Sequence, residues 1–85
     1  MASQARTMLT PAQLRAGRAL LGWSRAALAA KSDTHIETIK GFEARGTDPK
    51  LSTLNKWKRA LEAGGVVFVE EDGLAGPGVR IRKRR

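Results

Sequence analysis

The chain is predicted to fold as a mainly α domain, four short helices in a compact set followed by a C-terminal β-hairpin. Three observations lead to that class. Apolar residues recur at helical spacing between residues 9 and 63. Capping residues and glycines divide that stretch into four pieces. In the last twenty residues the apolar period changes to two.

The first helix has an unusually complete start. Thr10 is the expected N-cap, Pro11 sits at the first helical position, and Gln13 completes a T-x-x-Q capping box, with Leu9 and Leu14 as a hydrophobic staple. Leu14, Gly17, Arg18 and Leu21 form its stripe, and Gly22 ends it. Ser24 is the expected cap of a second, alanine-rich helix, Arg25 to Lys31, with Trp23 stapling toward Leu28. After the break Ser32-Asp33-Thr34, a second capping box, Thr34-x-x-Glu37, is expected to open a third helix running to Ala44 or Arg45, with Gly46 behind it. Ser52 is expected to cap the fourth helix, whose core side is Leu51, Leu54, Trp57, Ala60 and Leu61, and Gly64-Gly65 stop it. Val66–Glu71 and Gly78–Lys83 then read as strands around a Gly/Pro loop, with Val79 and Ile81 on one face and Arg80 and Arg82 on the other.

Two charges lie on faces meant for the core. Arg18 is in the first helix stripe, and Glu43 is beside the Ile36, Ile39, Phe42 stripe of the third. A lone buried charge costs several kcal/mol, whereas a hydrogen-bonded pair is tolerated. An Arg18–Glu43 salt bridge tying the first helix to the third is therefore expected, the alternative being that one or both point to solvent.

Composition narrows the function. Eighty-five residues make one domain with a thin core. With no cysteine and one histidine, His35, neither a disulfide scaffold nor a zinc site has its ligands, and no cofactor is expected. No clustered carboxylates accompany that histidine, so no catalytic constellation and no enzyme are expected. No apolar run approaches the roughly 20 residues of a membrane span, and the N-terminus carries no signal-peptide pattern, so the expectation is a cytoplasmic protein. Sixteen basic against eight acidic residues give a net charge of +8, which points to a polyanion. Arg80, Arg82, Lys83, Arg84 and Arg85 supply five of those charges. Such a run is either a solubilising tail or a phosphate contact, and the second needs a docking element elsewhere.

That element is legible. Two short helices three residues apart, inside a set of four, are the outline of a helix-turn-helix. The residues Leu21-Gly22-Trp23-Ser24, Leu28-Ala29, Thr38-Ile39, Phe42-Glu43, Pro49 and the Leu54–Leu61 helix resemble the Xre or phage-repressor and Cro family of DNA-binding domains, over roughly residues 9–63. The resemblance implies a phage-repressor-type domain over 9–64; residues 1–8, without periodicity, read as a disordered arm before it, and 65–85 as the hairpin and basic tail. It implies that the third helix, from about Thr34 to Ala44, enters the major groove, with base contacts from His35, Ile36, Glu37, Lys40 and Gly41. Phosphate contacts are implied for Ser24, Arg25, Thr34, Thr38, Arg45, Thr47 and Lys50. The family often carries an Arg–Glu pair between its first and third helices, in agreement with Arg18 and Glu43.

Departures are visible. Asp33 and Thr34 stand where the family commonly has a small residue and then an apolar one. Gly41 stands where it often has a long polar reader. Glu37 is as readily a capping residue as a reader of cytosine, Ile36 as readily a packing residue as a thymine-methyl contact, and His35 an exposed first-turn residue by default. Trp23 and Trp57 read as core. The expectation is a transcriptional regulator, a repressor in sense, binding double-stranded DNA at a pseudo-palindromic operator as a homodimer. The hairpin is the candidate dimerisation element through Val66, Phe68, Val79 and Ile81, with DNA contact by Arg80, Arg82 and the tail as its competing role. The alternative class is a protein-interaction module, an antitoxin or adaptor, whose helix-turn-helix is partly given over to a protein partner.

Overall fold

The computed structural model describes residues 8–83. The arm expected over 1–8 lies outside the described residues except for the exposed Met8, as do Arg84 and Arg85 of the tail. Four helices, α1 (Pro11–Leu21), α2 (Arg25–Ser32), α3 (Ile36–Arg45) and α4 (Leu51–Gly64), precede two antiparallel strands, β1 (Val66–Val69) and β2 (Gly78–Ile81). Leu14, Leu28, Ile39, Phe42, Leu54, Trp57, Leu61 and Val66 form one buried cluster drawn from all four helices and β1. None of the described helices is long and apolar enough to cross a membrane.

α1 starts as its residues dictate. Gln13 N donates to Thr10 Oγ1 and Thr10 N to Gln13 Oε1, both at 3.0 Å, which satisfies two donors the helix leaves orphaned. The Gln13 amide does more: its Nε2 donates to Gly78 O at 3.1 Å and ties the buried start of α1 to β2. Gly22 closes α1 at φ 69°, in the left-handed region where glycine carries no Cβ penalty. Ser24 caps α2 by accepting from Ala27 N, and the helix runs one residue past Lys31 to Ser32. Glycine at 64 serves another purpose. A Cβ there would lie 2.7 Å from Leu21 Cδ1 and 2.9 Å from Trp23 Cζ2, so any side chain would force these two to shift at the α1–α2 corner.

Both later helix starts differ from expectation. No Thr34–Glu37 capping box forms; α3 begins at Ile36 with His35 in the N-cap position and no side-chain cap bond. The reason lies in the core. Trp57 Nε1 donates to Thr34 Oγ1 at 2.9 Å, and Thr34 Oγ1 lies 2.9 Å from Ser32 Oγ. Ser32 spends its one hydroxyl proton on Leu28 O at 2.6 Å, so Thr34 is the donor between the two hydroxyls. A directed chain thus runs Trp57→Thr34→Ser32→Leu28 O, and it holds Thr34 turned inward. α4 begins at Leu51 with Lys50 as an N-cap without side-chain bond, so Ser52 is inside the first turn, and Leu51 is 61% exposed rather than in the core.

The strands are four residues each, shorter than expected, with Val66 opposite Ile81 and Phe68 opposite Val79. A two-stranded hairpin is marginal alone. This one packs Val66, Phe68 and Val79 on the helical core. Three of the four expected dimerisation residues are therefore occupied within the chain, Val66 at 1% exposure, and only Ile81 stands 46% exposed. Arg82 is also engaged: its N donates to Gly65 O at 2.7 Å and its Nη2 to Glu62 O at 3.0 Å, capping the α4 terminus. In the loop, the N–H groups of Leu74 and Ala75 donate to Asp72 Oδ1 and hold that carboxyl below its ordinary value.

The hydroxyl chain makes a direct prediction. Thr34→Val keeps the shape but leaves the buried Trp57 indole N–H without an acceptor, and should cost about 1–3 kcal/mol in denaturant unfolding. Thr34→Ser should recover most of that loss.

Candidate nucleic-acid interface

α2 and α3 pack together and are joined by Asp33, Thr34 and His35. The turn is sharp because Asp33 adopts φ 57°, the one non-glycine residue of positive φ among those described. Aspartate tolerates that region better than most side chains. Thr34 N then donates to Ala29 O at 3.0 Å, and His35 O receives Thr38 N and Ile39 N as α3 begins.

α3 divides into two faces. Ile39, Phe42 and Glu43 are buried, and Phe42 lies 5.3 Å from Trp57 between ring centroids. His35, Ile36, Glu37 and Lys40, four of the five residues expected to meet bases, share the exposed side, with Ile36 at 37% exposure. Lys40 Nζ stands 3.4 Å from Glu37 Oε2, a solvent-exposed pair one turn apart that contributes little to stability. Gly41 does not join them. It is buried, and a Cβ there would lie 3.1 Å from Arg45 Nη2 and 3.5 Å from Thr47 Cγ2, so these side chains cover the backbone expected to be open.

The residues expected to touch phosphates are more dispersed. Ser24, Arg45, Thr47 and Lys50 are exposed, Thr38 is partly buried on α3, and the Thr34 hydroxyl faces the core as described above. Arg25 is divided between two environments. Its Nε donates to Glu43 Oε1 at 2.9 Å while its side chain stays 40% exposed.

Glu43 is the hub of this region. Arg18 Nε and Nη2 donate to its two carboxylate oxygens at 2.8 and 2.7 Å, a bidentate pair, and Arg18 Nη1 donates to Trp23 O at 3.0 Å. Arg15 Nη1 reaches Glu43 O at 2.7 Å. The Glu43 side chain has no exposed surface and that of Arg18 has 16%. Burial pushes the Glu43 carboxyl up, but hydrogen bonds from Arg18 and Arg25, reinforced by their charges, outweigh it and hold the group below its ordinary value of 4.5. Spacing could not reveal the Arg25 bond or the Trp57–Thr34–Ser32 chain. Residues 18 and 23 positions apart meet only once the helices are packed.

No protein-family model matches the chain, and no curated protein matches it either.

Replacing Glu43 by Ala leaves two guanidiniums without a counter-charge, that of Arg18 largely shielded from water, and should cost about 3 kcal/mol in denaturant unfolding. The pH dependence has a defined sign. A carboxyl depressed on folding stabilises fully above its unfolded value, near 4.5, and that stabilisation is lost as pH falls through the lower folded value. Wild-type stability should therefore decline on acidification below about 4.5, and the decline should be shallower in E43Q. At Gly41 the nearest atom is the far end of a flexible arginine, so Gly41→Ala should raise the melting temperature, the helix gaining up to about 1 kcal/mol.

Proposed function

We propose that this protein is a DNA-binding transcriptional regulator of helix-turn-helix type, with α3 as the recognition helix in the major groove. One observation carries the reading. The short α2–turn–α3 unit buries one face of α3 through Ile39, Phe42 and Glu43 and leaves His35, Ile36, Glu37 and Lys40 together on the other. A helix fixed by its inner face, with polar groups and one isoleucine exposed on the other, suits insertion into a groove. A net charge of +8, with exposed Arg45 at the end of α3 and Lys50 beyond it, supplies the phosphate attraction such a helix needs. Lys40 suits guanine or phosphate, Glu37 a cytosine amino group and Ile36 a thymine methyl. With Gly41 covered, few side chains read bases, and a two-fold homodimer on a pseudo-palindromic operator multiplies that modest readout. Repression is the expected sense, and the cytoplasm is the compartment this function implies.

The hairpin is the proposed pairing element in a revised form. Its inward residues serve the core, and a second chain would instead meet the outward Val67 and Val69, with Leu74 at the loop, all exposed. The same apolar residues favour a second reading, an antitoxin or adaptor module that uses them on a different protein.

Selection of bound duplexes from a random pool at fixed salt tests the proposal. Enrichment of a symmetric motif, lost in H35A and K40A variants that still fold, is the expected result. A pool without enrichment, together with a co-purifying protein, would favour the second reading.

A further inference from the structure

The regulator reading leaves Glu43 as a structural residue and Arg25 as one phosphate contact among several. Resting on that reading, we infer that Glu43 is a positioning residue, which holds the Arg25 guanidinium in a fixed orientation toward a DNA phosphate.

The geometry carries the link. Arg18 is pinned at three donors, two on the Glu43 carboxylate and one on Trp23 O, so the carboxylate cannot rotate. Its Oε1 then takes Arg25 Nε at 2.9 Å. Anchoring through Nε leaves the Nη1/Nη2 end of the planar group free, and neither Nη donates to any described residue. Two guanidiniums against one carboxylate leave one positive charge unneutralised. The structure puts that charge on Arg25, whose side chain is 40% exposed, rather than on Arg18 at 16%. A guanidinium end with two N–H groups matches two phosphate oxygens, which an ammonium cannot reproduce. An arginine chain free in water must lose rotamer freedom on binding, whereas one already held by a buried carboxylate has lost it on folding. With Thr34 turned inward and Gly41 covered, fewer of the expected contacts remain, and the interface depends more on Arg25 than the sequence suggests.

The test uses the full chain and a mixed-sequence DNA duplex, with affinity measured across a salt series for wild type, R25M, R25K, E43Q and the R25M/E43Q double variant. R25M should weaken binding about tenfold or more on every sequence. It should also lower the slope of log affinity against log salt by about one. R25K should lose most of the same factor although its charge is kept. On this mixed-sequence duplex, where the presentation of α3 to particular bases matters little, the loss in folded E43Q should largely disappear once R25M is present, since both act on phosphate affinity through one contact. An R25M slope equal to wild type would overturn the phosphate contact. Wild-type affinity in R25K would overturn the positioning, and this result needs no Glu43 variant to fold. A further loss on adding E43Q to R25M would show that Glu43 acts elsewhere. Failure of the wild type itself to bind any duplex would defeat the regulator reading, an outcome distinct from all of these.

Discussion

A single buried carboxylate organises this domain. Glu43 takes hydrogen bonds from Arg18 on α1 and Arg25 on α2 while sitting on α3, and its carbonyl takes a third arginine, Arg15. Three of the four helices are therefore fixed relative to one another by one residue. Hydrophobic burial supplies most of the driving force, but it is non-directional, and Leu14, Leu28 and Ile39 would tolerate small rotations of the helices. A bidentate guanidinium–carboxylate pair would not. The ion pair therefore defines the angle at which α3 is presented more than it adds to net stability, because desolvation offsets much of the Coulomb gain.

The second polar device acts on the turn. Trp57, Thr34, Ser32 and the Leu28 carbonyl form a chain in which every donor is used, and no buried side-chain polar atom among the described residues lacks a partner. That chain reaches from α4 to α2 beneath Asp33, so the tight turn is supported from inside. It also explains why Thr34 does not cap α3. A hydroxyl turned inward to accept an indole N–H and donate to serine no longer faces the first N–H groups of α3.

Much of this was legible in the chain. Thr10-Pro11-x-Gln13 reads directly as a helix start because capping is local chemistry within four residues, and Gly22, Gly46 and Gly65 end helices at positive φ for the same local reason. The pairing of Arg18 with Glu43 follows from a different argument, that charges on apolar stripes must meet. The sequence misleads where a long-range partner displaces a local one: Thr34 is taken by Trp57, and Val66 and Phe68 are drawn into the core. Leu51 erred otherwise, since the helical period placed it on the apolar side while the first turn of α4 projects beyond the core.

The joint between helices and hairpin has a mechanical meaning. Only Gly65 separates α4 from β1, and Arg82 binds back to Gly65 and Glu62 while Gln13 holds Gly78. The hairpin is thus a stiff bracket rather than a tethered arm. A flexible linker would let two recognition helices adapt to variable separations, at an effective concentration set by linker length. A bracket permits one separation. Under the proposed two-fold arrangement, the distance between half-sites becomes a property of the protomer fold itself, and inserting a base pair between half-sites would rotate one recognition helix out of its groove with no slack in the protein to follow it.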